Sequence, residues 1–119
     1  MKRLFAVFAM LFLMSCSQAQ DQPITEFSAS ELKNGALLVD VRTPGEFSQG
    51  HLEGAQNIDW LAPDFATHWA DMDKDQKIYV YCKVGGRSAQ SAQKLRAMGF
   101  KHVINLTGGY DAYKAAQQN

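Results

Sequence analysis

Lys77-Ile78-Tyr79-Val80-Tyr81 runs unbroken into Cys82-Lys83-Val84-Gly85-Gly86-Arg87-Ser88, and the reading of this stretch decides the fold. The first five residues, rich in β-branched and aromatic side chains, have the composition of a strand. Two glycines break the extended pattern. Beyond them Ala89, Ala92, Leu95 and Met98 form an apolar stripe at helical spacing, which Gly99 ends. A strand that passes through a tight loop into a helix is the unit of a parallel α/β sheet. Ligands of such sheets bind at the carboxyl ends of the strands, and Cys82 stands at that end here.

The loop also carries chemistry. A thiolate is the reactive form of cysteine, and nearby cations and a helix N-terminus both favour it. Glycines allow successive backbone N–H groups to turn toward a bound anion. A cysteine alone reads as a small buried hydrophobe; one followed by Gly85-Gly86 and flanked by Lys83 and Arg87 reads as a nucleophile.

Working outward, Ala36 to Val41 is a second apolar run, broken only by Asp40, as in a strand buried on both faces. Ile24 to Phe27, Ala55 to Ile58 and Val103 to Leu106 read as further short strands. Ser28-Ala29-Ser30-Glu31 and Thr43-Pro44-Gly45-Glu46 both have capping-box spacing, with helix stops at Asn34-Gly35 and near Gly50. Leu61, Phe65 and Trp69 recur every four residues, which predicts a helix within 61–72. Asp71 to Asp75 is a charged turn that lacks the glycine and distal glutamate of a calcium loop. Thr107-Gly108-Gly109 is a turn, and Tyr110 to Ala116 a terminal helix. The fold class expected is α/β, a mainly parallel central sheet flanked by helices in a single domain.

Length and charge agree with that class. The chain has 119 residues, enough for one domain. Basic and acidic residues number 12 each, but Lys2 and Arg3 precede every acidic residue, so the remainder is slightly acidic. That is no footprint for nucleic-acid binding. Lys2-Arg3, followed by the apolar run Leu4 to Met14, has the form of a signal peptide, too short to span a membrane. Leu13-Met14-Ser15-Cys16 resembles the lipobox of bacterial lipoproteins, which implies a leader over 1–15, a cut before Cys16 and lipid on its sulfur. A cut after Ala19 competes with it. Residues 16–23 then read as a polar tether and 24–116 as the folded domain. Ser17 after the cysteine implies, for a Gram-negative bacterium, outer-membrane sorting, a periplasmic location and membrane contact through the lipid only. Either cut leaves Cys82 as the only thiol of the folded domain.

The motifs as a set resemble a single-domain rhodanese, the sulfurtransferase family. Asp40-Val41-Arg42, Glu46-Phe47, Gly50-His51, Gly54-Ala55 and Asn57-Ile58 match its first block. Tyr81-Cys82, Gly85, Arg87-Ser88, Leu95 and Gly99-Phe100 match its active-site loop and helix, and Val103, Leu106 and Gly108-Gly109 its closing block. Tyr113 departs from the family's usual tryptophan. The resemblance implies a reaction in which Cys82 takes the outer sulfur of thiosulfate or a related donor as a persulfide and passes it to cyanide or a thiol, with no cofactor. Backbone amides of Lys83, Val84, Gly85, Gly86, Arg87 and Ser88 would line the sulfur site. Lys83 and Arg87 would attract the anionic donor, or Arg87 would pair with a carboxylate. Arg42 is a rim contact or a salt-bridge partner. Cys82 to Arg87 spans six residues, one fewer than in related phosphatases and arsenate reductases, which fits a sulfur atom better than a tetrahedral oxyanion. His51, His68 and His102 lack metal-ligand spacing, and Trp60 and Trp69 read as packing. Two further readings are a non-catalytic binding module and a thiol redox sensor of the cell envelope.

Overall fold

The central strand of the computed structural model is β4, Lys77–Tyr81. Its last four residues are buried because neighbouring strands flank it on both sides and both sheet faces are covered. The structure describes residues 20–118; the leader, Cys16 and the first part of the tether lie outside them. Within that span run β1 (Gln20–Pro23), α1 (Ser30–Lys33), β2 (Leu37–Asp40), α2 (Pro44–Ser48), β3 (Gln56–Asn57), β4, α3 (Gly86–Ala97), β5 (His102–Thr107) and α4 (Gly109–Gln117). The sheet order is β1-β5-β4-β2-β3 and every pairing is parallel.

Alternation along the strands sends side chains to two cores. Ile78, Val80, Cys82, Val39 and Val41 face Ala92 and Leu95 of α3 together with Phe65, Trp69 and Phe100. Tyr79, Tyr81, Leu38, Ile104 and Leu106 face the other way, against Ile24, Leu52, Leu32 of α1 and Tyr110 of α4. Hydrogen bonding continues past the strand ends: Val41 N–H donates to Tyr81 O at 2.9 Å and Trp60 N–H to Val41 O at 3.0 Å. The carboxyl edge beside Cys82 is thereby held rigid.

Five expectations are corrected. Gln20–Pro23, read as tether, is an edge strand paired with β5; its sequence has no apolar alternation, so only backbone pairing reveals it. Ile24–Glu26 is a 3-10 turn rather than a strand. The helix predicted within 61–72 contracts to a 3-10 turn, Phe65–Trp69, that packs Phe65 and Trp69 into the core. At α1 the first capping box does not form: Ala29 stands at the cap, Ser28 Oγ accepts from Ser30 N–H at 3.2 Å, and the Glu31 carboxylate pairs with Lys77 at 3.0 Å. The buried stripe of α3 also shifts: Ser88, Ser91, Ala92 and Leu95 face inward. The second capping box forms as read, with Glu46 N–H donating to Thr43 Oγ1 and Thr43 N–H to Glu46 Oε1.

Candidate active site

Cys82 leaves β4 as the first residue of the loop and is 1% exposed. Gly85, at φ 121°, turns its N–H back onto the Cys82 sulfur at 3.0 Å. That dihedral lies where side chains other than hydrogen are strained. Gly86 then begins α3 with no side-chain cap. The loop carbonyls are drawn the other way. Tyr110 N–H donates to Cys82 O at 2.8 Å and Asp111 N–H to Lys83 O at 3.0 Å, so the unsatisfied first turn of α4 serves as their donor. This approach needs Gly109 (φ 63°), since a methyl group there would run into those carbonyls. With carbonyls tied outward, the amides are left facing the sulfur.

Burial is the largest single influence on the Cys82 thiol and pushes its pKa up. The Ser88 hydroxyl and the N–H groups of Ser88, Gly85 and Val84 act together against it, and the balance falls below the ordinary thiol value. The Ser88 hydroxyl stands 3.2 Å from Gly85 O. Its one proton serves either that carbonyl or the sulfur.

The loop cations are committed to carboxylates. Arg87 forms a two-pronged pair with Glu46 at 2.8 and 3.0 Å, from the first turn of α3 to the capping box of α2. The Arg87 guanidinium, helped by hydrogen bonds from Thr43, outweighs burial and lowers the Glu46 pKa to about 2. Lys83, exposed, meets Asp111 at 2.7 Å. Arg42 is buried, donates to Asp40 at 2.6 Å and to Gly50 O at 2.7 Å, and lies 4.4 Å from the Tyr110 ring centre. Of the expected site residues, Val84, Gly85 and Ser88 thus surround the sulfur with their donors, Gly86 starts the helix, and Lys83, Arg87 and Arg42 sit beside the loop in ion pairs. Val84 itself is exposed at the loop tip.

Sequence reading missed three partners: Glu46, Asp111 and the α4 amides. The spacing assigns Glu46 the role of a cap and Gly108-Gly109 that of a turn, and the family motifs that contain them name no partner. Their second roles depend on contacts between distant parts of the chain. The histidines lie elsewhere. His51 stacks on Phe47 at 3.7 Å, with Nδ1 2.9 Å from Phe47 O; His68 meets Asp64; His102 begins β5 at the opposite edge of the sheet. Among the described residues no group of three His, Cys, Asp or Glu could hold a metal. Trp60 donates to Gln90 at 3.0 Å, Trp69 is core, and Tyr113 stacks on Tyr110.

Comparison with known proteins agrees with this architecture. The family model described as rhodanese-like domain matches residues 25–116. A thiosulfate sulfurtransferase GlpE from Ectopseudomonas mendocina is 37% identical over 94 residues, 77% of this chain and 84% of that one. A protein named sulfurtransferase from Allochromatium vinosum is 37% identical over 78 residues, 65% of this chain and 70% of its own. The reduced Bacillus anthracis CoADR-RHD superimposes with a TM-score of 0.73 at 28% identity, covering 84% of this chain and 17% of that longer one. A rhodanese-like domain protein from Staphylococcus aureus gives 0.63 at 27% identity, covering 79% of this chain and 90% of its own. The chain therefore belongs to the rhodanese-like family, a single α/β domain of the sulfurtransferase kind.

Proposed function

We propose that the protein is a sulfurtransferase that carries sulfane sulfur on Cys82, with thiosulfate or a related compound as donor. The observation that carries the reading is the orientation of the loop, whose amides face the Cys82 sulfur while its carbonyls are held by α4. In the first half-reaction the Cys82 thiolate attacks the outer sulfur of thiosulfate. The donor S–S bond breaks, its electron pair leaves with sulfite, and a persulfide anion remains on Cys82. In the second, an acceptor such as cyanide attacks the outer sulfur, thiocyanate departs, and the thiolate returns. Negative charge stays at the centre of the loop throughout. Fixed amides stabilise it without reorganising, an effect typically worth about 10²–10³ in rate per donor elsewhere. The six-residue loop supports sulfur over a tetrahedral oxyanion.

The test is direct. Protein treated with thiosulfate should gain the mass of one sulfur atom on Cys82, and cyanide should remove it as thiocyanate. Neither event, in protein whose thiol is shown to be reduced, would overturn the proposal. We also propose, from the leader sequence alone, export and lipidation of Cys16. Intact-mass analysis of protein from the cell envelope would show the lipid, or the shorter chain of a cut after Ala19.

A further inference from the structure

The pairing of β1 with β5 shortens the tether. With Gln20–Pro23 taken into the sheet, only residues 17–19 separate Cys16 from backbone in register with β5. The four steps from Cys16 to Gln20 span at most about 14 Å, whatever path they follow. Because every strand runs the same way, height along the sheet has one meaning throughout. Gln20 is level with Ile104 and Tyr79. The amino ends of the two nearest strands, at His102 and Lys77, lie two residues lower, about 7 Å. Cys82 lies three residues higher, about 10 Å, and two strands across, about 10 Å more. The loop after it rises higher still before α3 begins. A tether of that reach passes the amino end of the sheet and falls short of the far side of the loop. The surface it reaches carries two surface ion pairs, Lys77 with Glu31 and Lys101 with Asp75, which offer both signs of charge to a headgroup layer. The two large apolar side chains that stand exposed among the described residues, Leu61 and Val84, are at the opposite end.

We propose that the amino end of the sheet, the face carrying Lys77, Lys101 and Asp75, rests on the lipid surface that holds Cys16, and that the Cys82 loop opens toward water on the other side. Cys82 then stands about 17 Å above the lowest sheet residues, five residues along from Lys77. The reverse placement, with Leu61 and Val84 dipped into lipid, requires Cys16 to lie beyond the loop, farther from Gln20 than four residues extend. The inference rests on the lipidation of Cys16 proposed above and does not depend on sulfur transfer.

The test uses protein purified from cell envelopes, its lipid confirmed by mass, in vesicles of phosphatidylethanolamine and phosphatidylglycerol with a nitroxide on some headgroups. Cys82→Ser removes the native thiol, and Lys101→Cys, Leu61→Cys or Val84→Cys then gives a bimane fluorophore one site. The three side chains are 66%, 64% and 64% exposed, so each site is open to labelling. The nitroxide quenches at short range, and Lys101 is separated from the loop by about 20 Å of sheet. The Lys101 probe should therefore lose at least about twofold more of its fluorescence than either of the others. Inserting a dozen glycine and serine residues between Gln18 and Ala19 gives a flexible tether with a mean span of about 20 Å, and should bring the three probes toward equal quenching. Equal quenching in the protein without the insertion, or stronger quenching at Leu61 or Val84, would overturn the proposal while leaving lipidation standing. A Lys101 signal unmoved by the insertion would overturn the short tether as its cause. Absence of the lipid would be seen by mass before any vesicle is made and would overturn both.

Discussion

Two helix starts in this molecule solve the same problem in opposite ways. At α2, Thr43 and Glu46 close the first turn with a full capping box, and proline sits where no N–H is needed. At α3, Gly85 stands at the cap with no side chain to offer, and the Cys82 sulfur accepts its N–H instead. A helix start normally recruits a side-chain oxygen. Here one is withheld beside Cys82, and the open donors are left facing its sulfur. The two starts are joined by Arg87 and Glu46, so the closed one braces the open one.

Removing the sulfur at the open start has the largest effect. Cys82→Ser should abolish thiocyanate formation, a loss on the order of 10³-fold or more because a hydroxyl is a poor nucleophile here. Circular dichroism should remain that of the folded protein. Next is the anchor that turns the loop carbonyls outward. Gly109→Ala meets the Cys82 and Lys83 carbonyls at a positive φ. It should cost about 1–3 kcal/mol in urea denaturation, and thiocyanate formation should fall by at least tenfold. If stability falls and activity does not, the amides do not need α4 to face inward.

The closed start should show the reverse balance. Thr43→Ala removes a cap, worth about 1 kcal/mol of stability, and should leave turnover within about twofold, since Thr43 does not touch the sulfur. A larger loss of turnover than of stability would mean that the brace itself is part of the reaction. The smallest effect is one of acidity. Glu46 titrates at about 2 in the folded protein against an ordinary 4.5. Because the folded value is the lower, its contribution is complete above about 4.5 and is lost as pH falls toward 2. Wild type should therefore lose stability over that range more steeply than Glu46→Gln. Parallel curves would show that the Arg87 pair is screened by solvent.

Sequence legibility followed the same division. β2, β4, β5, α3 and the loop were readable because apolar runs and glycines are local signals. β1 was not, since Gln20–Pro23 shows no pattern and exists through its pairing with β5. Phe65 and Trp69 kept helical spacing but form only a 3-10 turn, with both rings drawn into the core. Thr43 capped as read and Ser28 did not: α1 starts one residue later with Ala29 at the cap, Ser28 Oγ takes Ser30 N–H, and Lys77, far along the chain, takes Glu31. At the site, the thiol and glycines were legible. The pairing of Arg87 with Glu46 and of Lys83 with Asp111 joins residues distant in the chain, and only the fold brings them together.

The central claim is that the loop amides and Ser88 prevail over burial at Cys82. Titrating the thiol by the pH dependence of its alkylation with a small neutral reagent tests it most directly. The account predicts a midpoint below that of a free cysteine, about 8.5, and a rise in the midpoint for Ser88→Ala. A wild-type midpoint at or above the free value would contradict it, since burial would then have won over the open start of α3.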